Sequence, residues 1–320
     1  MKIFKKTLAV FAALSLSASV FAFDWTSIEA IEEYNAQCET ISNGLDDFTT
    51  QLSFAIPQAA SQQNVWADAY IGKLFPSVPP HLGGGFNVGF TRIDTTGLKE
   101  AASVLNIDGI QDSYYYPVFT ADLRIGGLFL PFDLDVAVMK TGQLDMNAMG
   151  ADLSVDFFTV GAEARLPIWE GNLIFPKLSL GFGYFYNQGS LKAAAGGYAN
   201  TKIDYKIHTM YASAQLSKTI LFLTPFVGVR GFVSKYDNDW AWEIQNSTAV
   251  SAINAVGGKT SFSKNLSSDK FDFNAIQPQL FLGCGFRFIV IDFTVSVSAD
   301  LRHLSDNGLW SGAASLRISL

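Results

Sequence analysis

The sequence has few of the residues that build metal sites or disulfide frameworks. It contains two cysteines, Cys38 and Cys284, and three histidines in 320 residues. His81 and His208 have no partners at the spacing of metal ligands, and two cysteines constrain a chain of this length very little. We therefore expect no metal, no cofactor and no disulfide between Cys38 and Cys284.

Basic residues are also scarce. The chain has 22 lysines and arginines against 29 aspartates and glutamates, which gives a formal net charge of −7. A nucleic-acid-binding protein normally carries an excess of positive charge on one face. The sequence therefore excludes nucleic acid as an expected partner.

Long hydrophobic runs are missing after the first 22 residues, although 49% of the chain is hydrophobic and 14% is aromatic. A transmembrane helix needs about 20 consecutive apolar residues. Residues 1–22 place three lysines before an apolar run that ends in Val20-Phe21-Ala22, a pattern that predicts a cleaved signal peptide. An exported, apolar chain without a spanning helix favours a β-barrel, which also satisfies its backbone hydrogen bonds in lipid.

What the sequence has in abundance is alternation of apolar and polar residues, which is less clean in the first half of the chain. Residues 289–302 alternate to the end of the segment, and the pattern resumes from Trp310 to Leu320. A period of two predicts a strand with one apolar and one polar face. Ten segments show it: 82–91, 117–126, 131–140, 153–166, 174–187, 203–217, 221–234, 271–288, 289–302 and 309–320. Cys284 falls on an apolar face, where a thiol behaves as a small hydrophobe.

The polar faces of these segments carry charges of both signs. A sandwich core would hold them at a cost of several kcal/mol each unless they were paired, whereas a barrel lumen can hold them hydrated or salt-bridged. We predict that the lumen is lined by Asp122, Arg124, Asp133, Asp135, Glu163, Arg165, Arg230, Arg287, Asp292, Asp300, Arg302 and Arg317.

The connections between the segments alternate between long and short along most of the chain. This is typical of outer-membrane barrels, which join strands by short periplasmic turns and longer external loops. We predict an antiparallel transmembrane β-barrel of ten strands over residues 82–320. A hairpin about Gly257-Gly258, inside the longest loop, would make twelve strands.

From the leader to the last strand, the chain resembles a bacterial outer-membrane β-barrel protein, of the porin or transporter kind. The resemblance implies location in the outer membrane, contact with outer-membrane lipid and with the barrel assembly machinery, and transport of small solutes. Opposed rings of charge in the lumen would set ion preference and orient dipolar solutes.

Residues 23–81 do not alternate. Thr26 and Ser27 are candidate helix caps, and Glu29, Glu32 and Glu33 follow where the helix dipole favours acidic side chains. We predict one or two helices, which form either a plug inside the barrel or an amphipathic periplasmic segment.

An enzymatic alternative rests on His303 and Ser305, which would lie on the same face of a continued strand as a base and a nucleophile do. This pair resembles the His-x-Ser element of outer-membrane lipid hydrolases, namely the lipid A 3-O-deacylases and the outer-membrane phospholipase A. Asp306 follows where those enzymes have asparagine, which weakens the match. A polar external turn at Asn307-Gly308 explains the same residues.

Two further alternatives concern the end of the seventh segment and the loop after it. Asp237 and Asp239 resemble the aspartates of the omptin proteases, but they lack the Asp-x-His spacing, so we predict a solvated acidic loop. Trp240 and Trp242 fit an interfacial aromatic belt. The long loop 235–270 would serve a structural or surface-recognition protein.

Overall fold

A computed structural model describes most of the chain and shows a fold composed mainly of β-strands, with one long helix at its N-terminal end. The residues described are 28–71, 81–104, 111–127, 132–140, 144–148, 151–172, 174–195 and 199–320. The predicted signal peptide, residues 1–22, lies outside them.

Twelve strands and four α-helices make up this part of the chain. The strands are β1 (His81–Asp94), β2 (Ser113–Gly126), β3 (Asp133–Lys140), β4 (Leu144–Ala148), β5 (Ala151–Trp169), β6 (Lys177–Ala195), β7 (Ala199–Ser217), β8 (Leu223–Ile244), β9 (Ser261–Ser268), β10 (Gln277–Phe288), β11 (Ile291–Asp300) and β12 (Trp310–Ser319). The helices are α1 (Ile28–Ala60), which continues into a 3₁₀ helix (Ser61–Asn64), then α2 (Thr96–Val104), α3 (Ser247–Ala255) and α4 (Leu304–Asn307). No helix among the described residues is long and apolar enough to span a membrane.

The strands form one closed antiparallel barrel of ten positions. The sheet closes because β12 pairs with β1 and β10 pairs with the first part of β8. β3 and β4 pair with successive parts of β5 and so share one position, while β9 pairs only with the last part of β8 and is an extra strand. The prediction of a ten-stranded barrel is confirmed. The alternative hairpin about Gly257-Gly258 does not form, because α3 precedes these glycines and β9 pairs with β8.

The outward face of the barrel is apolar and exposed. Phe86 on β1 is 71% exposed, Phe182 on β6 is 55% exposed, and Leu316 on β12 is 58% exposed, while their neighbours along each strand point inward. Monomeric soluble proteins rarely expose a continuous apolar surface of this extent. This apolar belt is the surface that lipid covers in a transmembrane barrel.

The two ends of the barrel differ in their connections. Short turns join the strands at one end, the turn end, where β1 begins and β12 ends: 127–132, 170–176, 218–222 and 289–290. Longer connections lie at the other end, the loop end: 95–112, 245–276 and 301–309, together with the shorter 196–198. The predicted alternation of connections is therefore present except at 196–198, which is short because β6 and β7 are longer than predicted.

Four neighbouring strands are longer than predicted. β5 to β8 contain 19 to 22 residues each, about twice the 9–11 that a membrane crossing requires. Their outward residues near the loop end are charged and exposed, as at Asp156, Lys202 and Asp237, so this part of the wall rises above the apolar belt. The predicted loop 235–270 accordingly begins as the end of β8.

The inner face of this raised wall, formed by the loop-end parts of β5 to β8, is apolar and is covered by α1 as far as about residue 54. Tyr34, Ile41 and Leu45 of α1 are almost completely buried and belong to one cluster with Trp240 and Trp242 of β8. We use the name loop-end cap for the unit that these elements form together. It consists of α1 as far as about residue 54, α2, the raised wall and β9. The two tryptophans therefore form part of the cap core, which corrects the prediction of an interfacial belt.

Both cysteines are free. Cys38 is buried in the core of the loop-end cap, whereas Cys284 lies on the outward face of β10. The two thiols therefore lie on opposite sides of the barrel wall.

Candidate functional site: the occupied lumen

Residues 61–71, named the lumen segment, run along the inner face of the barrel below the cap. Ala69 N–H donates to Ser217 Oγ (2.9 Å) on β7, and Ile71 N–H donates to Asp133 Oδ2 (2.7 Å) on β3. Gln215 Nε2 donates to Trp66 O (2.7 Å) from the same face of β7. The segment is thus enclosed by wall strands from several sides.

Four buried arginines of the wall donate hydrogen bonds to backbone carbonyls of the lumen segment. We name them the lumen arginines, and their acceptors are as follows: Arg124 to Asp68 O and Ala69 O (both 3.1 Å), Arg165 to Asn64 O, Arg230 to Ser61 O (3.0 Å), and Arg317 to Val65 O (2.8 Å) and Gln63 O (3.4 Å). The planar guanidinium fork can reach several carbonyls at once. Because the acceptors are main-chain oxygens, the contacts depend on the path of the segment rather than on its side chains.

We call the contacts of the four lumen arginines with these main-chain carbonyls the clamp. Trp66 adds side-chain contacts to it. Its ring lies 4.3 Å from the guanidinium carbon of Arg317 and 5.3 Å from that of Arg124. A cation held against an indole face is stabilised by the ring quadrupole, the more so where water is excluded. The indole therefore packs the lumen segment against two of the four lumen arginines.

Three lumen arginines also pair with carboxylates of the wall. Arg124 NH2 lies 2.6 Å from Asp133 Oδ2, Arg317 Nε lies 2.7 Å from Asp122 Oδ2, and Arg165 NH2 lies 3.0 Å from Glu163 Oε2. These side chains are at most 2% exposed. Buried charges of this kind are tolerated only when they are paired and hydrogen-bonded, so loss of one partner would leave an uncompensated charge in the lumen.

Arg230 is stabilised differently. It donates to Gln279 Oε1 (3.2 Å), and its guanidinium carbon lies 4.9 Å from the ring centre of Phe281 and 5.1 Å from that of Tyr211. These neighbours come from β10 and β7. The lumen at this level is therefore filled by side chains in addition to the lumen segment.

A separate ion-pair cluster holds the lumen segment at the turn end. Asp68 lies 3.1 Å from Lys177 Nζ and 2.9 Å from Arg287 NH2, and Arg287 Nε lies 2.6 Å from Asp292 Oδ1. Arg287 is 40% exposed, so solvent screening weakens this cluster relative to the buried pairs.

Most of the lumen residues predicted from sequence lie where alternation placed them. The buried ones are Asp122, Arg124, Asp133, Asp135, Glu163, Arg165, Arg230, Asp300 and Arg317. Arg287 and Asp292 lie at the partly exposed mouth of the turn end. Arg302 does not line the lumen, because β11 ends at Asp300, whose carboxylate accepts the amides of Arg302 (2.8 Å) and His303 (2.9 Å) and starts an exposed turn.

Several functional neighbours of the lumen arginines were missed from sequence. Gln279 Nε2 donates to Gln58 Oε1 (2.7 Å), and Gln58 Nε2 donates to Ser298 Oγ (3.1 Å), which joins the end of α1 to β10 and β11. Apart from Ala59 and Ala60, the uncharged run from Gln58 to Asn64 is polar, so it fits neither an amphipathic helix nor an alternating strand. An uncharged polar run of this kind, in a chain whose strands carry inward arginines, is the signal that could have identified the lumen segment.

The enzymatic arrangement predicted for His303 and Ser305 is absent from the described structure. His303 stacks on Phe54 with ring centres 4.2 Å apart, and its Nδ1 lies 3.2 Å from Asp300 Oδ1. Ser305 Oγ donates to Asp306 on the exposed helix α4. The same-face argument fails because the strand ends before either residue. The turn that explains these residues bends at Gly308, where φ is +56°.

The acidic residues Asp237 and Asp239 lie on strand β8 rather than in a loop, which corrects the prediction. Both point outward and accept hydrogen bonds from Asn265 Nδ2 (2.8 Å each). Asn238 points inward and donates to Ser53 Oγ (2.9 Å) of α1. Among the residues that the structure describes, no group of three or more His, Cys, Asp or Glu side chains could hold a metal ion.

No protein-family model and no curated protein matches the sequence. In fold, the chain is similar to solved outer-membrane proteins at low identity. The translocator domain of the autotransporter NalP from Neisseria meningitidis is 10% identical, with 84% of this chain and 98% of that chain covered and a TM-score of 0.40. A Pseudomonas aeruginosa FadL homologue is 8% identical over 81% of this chain and 97% of that chain, with a TM-score of 0.26. Neisserial surface protein A is 9% identical over 75% and 96%, with a TM-score of 0.26.

The closed barrel, its continuous apolar belt and its polar, salt-bridged interior define the class of protein. The chain is a transmembrane β-barrel of the outer-membrane type. Its lumen is occupied by its own N-terminal segment.

Proposed function

We propose that this chain is a gated outer-membrane barrel in which the lumen segment plugs a charged passage for small solutes. The observation that carries this proposal is the clamp of four lumen arginines on main-chain carbonyls. When the lumen segment moves aside, these arginines and the wall carboxylates line the passage instead. Asp135 supports a hydrated interior, because it is buried and neither carboxylate oxygen accepts a hydrogen bond within the described part of the chain.

The anchoring of α1 favours a local movement over release of the whole N-terminal part. The cap buries large apolar side chains of α1 such as Ile41, Leu45 and Leu52, and each contributes about 1.5–3 kcal/mol through burial. The lumen segment below them is held mainly by polar contacts that water can replace. Gating therefore involves residues 61–71, while the upper part of α1 stays in place.

We expect the folded wild-type protein to conduct little in planar bilayers and Arg317→Lys to open more often. Lysine keeps the positive charge beside Asp122 but loses the fork that reaches the carbonyls of Val65 and Gln63. Each 1.4 kcal/mol removed from the closed state raises a low open probability about tenfold. Single-channel recording on protein with heat-modifiable gel migration measures the effect, and Arg302→Lys in the exposed turn is the matched control.

A disulfide lock supplies the outcome that would contradict gating. Cysteines at Ala69 and Ser217, where the amide and hydroxyl are 2.9 Å apart, are expected to silence the openings of Arg317→Lys when oxidised and to restore them when reduced. If Arg317→Lys is folded but as silent as wild type, the lumen segment is not a gate.

A second candidate function is surface recognition by the loop-end cap. It is favoured by the folded state of the loop 235–270, where α3 is capped by the side chain of Asn246 and β9 extends the wall. The recording experiment separates the two candidates, because a recognition barrel would remain silent in every variant.

We also propose that the chain reaches the outer membrane through a cleaved leader and the barrel assembly machinery, with outer-membrane lipid around its apolar belt. The sequence of residues 1–22 supports this. The intact mass of protein extracted from outer membranes is expected to correspond to a chain that begins at Phe23. A mass that retains residues 1–22 would contradict the proposal.

A further inference from the structure

The N-terminal part of the chain crosses the whole barrel along strand β8. As residue numbers rise along the N-terminal part, the numbers of its partners on β8 fall. Asp46 Oδ1 accepts a hydrogen bond from Trp240 Nε1 (2.7 Å), and Ser53 Oγ accepts one from Asn238 Nδ2 (2.9 Å). Further along, Ser61 O accepts one from Arg230 NH1 (3.0 Å), and Val65 packs in one cluster with Phe226. β8 runs from the turn end at Leu223 to the loop end at Ile244. The N-terminal part therefore runs in the opposite direction, from the loop end to the turn end.

Contacts at both extremes confirm this direction. Tyr34, near the start of α1, donates its hydroxyl to Lys259 O in the connection between α3 and β9. Ile71, after the lumen segment, binds Asp133 at the first residue of β3, beside the turn 127–132. The start of α1 thus lies at the loop end, and the chain leaves the lumen at the turn end, where β1 also begins.

The length of α1 agrees with this path. Its 33 residues span about 50 Å at 1.5 Å per residue, so its start lies in the loop-end cap while its end at Ala60 reaches the lumen segment. Its first turns also carry an exposed face, with Glu32, Glu33 and Asn35 exposed between buried positions such as Tyr34 and Cys38. This end of the helix is accessible while its opposite face is buried in the cap.

The ends of the barrel can be assigned to the two sides of the membrane. Outer-membrane barrels place short turns in the periplasm and longer loops outside. By this rule, the turn end with its four short turns is periplasmic, and the loop end with the cap is external. The start of α1 then faces the exterior.

We propose that the chain crosses the outer membrane an eleventh time, inside its own lumen, and displays the N-terminal end of α1 on the cell surface. This placement goes beyond the proposed gating, since it makes the exposed face of the first turns of α1, with Glu32, Glu33 and Asn35, part of the external surface. The four lumen arginines hold this crossing in place, because they bind main-chain carbonyls along its path.

Cysteine labelling on intact cells tests the proposal. Glu33→Cys reports the start of α1, Asp269→Cys reports the loop end, and Thr219→Cys reports the turn end; all three positions are exposed. A membrane-impermeant maleimide is expected to label Glu33→Cys and Asp269→Cys to the same extent before and after permeabilisation. Labelling of Thr219→Cys is expected to appear only after permeabilisation.

The unsubstituted protein provides the background. Burial raises the pKa of the Cys38 thiol to about 11, and Cys284 lies on the lipid-facing side of β10, so neither is expected to react. Each variant is checked for heat-modifiable migration before labelling. If Glu33→Cys is labelled only after permeabilisation, as Thr219→Cys is expected to be, the external display of α1 is overturned, whatever the conductance experiments show.

Discussion

Arg124→Ala is expected to lower the free energy of unfolding of the barrel by about 3–5 kcal/mol, the cost of breaking a buried ion pair by removing one partner. Arg124 is fully buried and donates to Asp133 (2.6 Å), to Asp68 O and to Ala69 O. Its removal leaves the Asp133 carboxylate without its paired cation and two carbonyls without a donor. Urea unfolding in detergent micelles or lipid vesicles, followed by tryptophan fluorescence, measures the change.

Two comparison variants show whether the loss comes from the stranded charge. Arg124→Ala combined with Asp133→Asn is expected to recover part of the stability, because asparagine carries no charge to desolvate. Arg302→Ala, in the exposed turn, is expected to change the free energy of unfolding by less than about 0.5 kcal/mol. Equal losses in Arg124→Ala and Arg302→Ala would mean that the lumen pair does not hold the barrel together.

Leu45→Ala is expected to destabilise the loop-end cap by about 2–5 kcal/mol, the range for a large-to-small change in a packed core. Leu45 has no exposed surface and packs in the cap cluster. The neighbouring contact between α1 and α2 leaves little room to relax, since a Cβ added at Gly44 would lie 2.3 Å from Gly97 O. The cavity therefore persists, and the cost stays high.

The readout is the protease resistance of the cap combined with the heat-modifiable migration of the barrel. Leu45→Ala is expected to expose α1 to cleavage while the barrel remains folded, because the cap lies above the ring of ten strands. Leu45→Met keeps most of the volume and is expected to lose less than about 1.5 kcal/mol. If Leu45→Ala is as resistant to protease as wild type, α1 does not depend on the apolar cluster for its position.

The structure also places a physical limit on how this barrel can conduct. A ten-stranded barrel is narrow and is commonly filled by its own side chains, and here Arg230 packs against Phe281 and Tyr211 in addition to the lumen segment. An opening that moves only the lumen segment yields a narrow, charged path. This favours small hydrated or dipolar solutes over bulky ones as the proposed cargo.

Alternation determined the ten barrel strands and the inward direction of most charged residues, and together with the apolar composition and the connection lengths it indicated the class of fold. Period-two patterning fixes which side of a strand faces lipid, and residues such as Asp122, Arg165 and Arg317 have no alternative but the lumen. Connection lengths determined which end carries the turns. These features are local along the chain, and a sequence records local features directly.

Only the tertiary structure decided what fills the lumen and which groups the arginines bind. The acceptors are carbonyls of residues 61–69, which every residue possesses and no side-chain pattern marks. The height of the wall beyond Lys235 and the burial of Trp240 depend on α1, which lies about 200 residues earlier in the chain. Strand β11 ends at Asp300, whose carboxylate accepts hydrogen bonds from two amides of the following turn. The alternating pattern continues in the sequence to Arg302, but the strand does not.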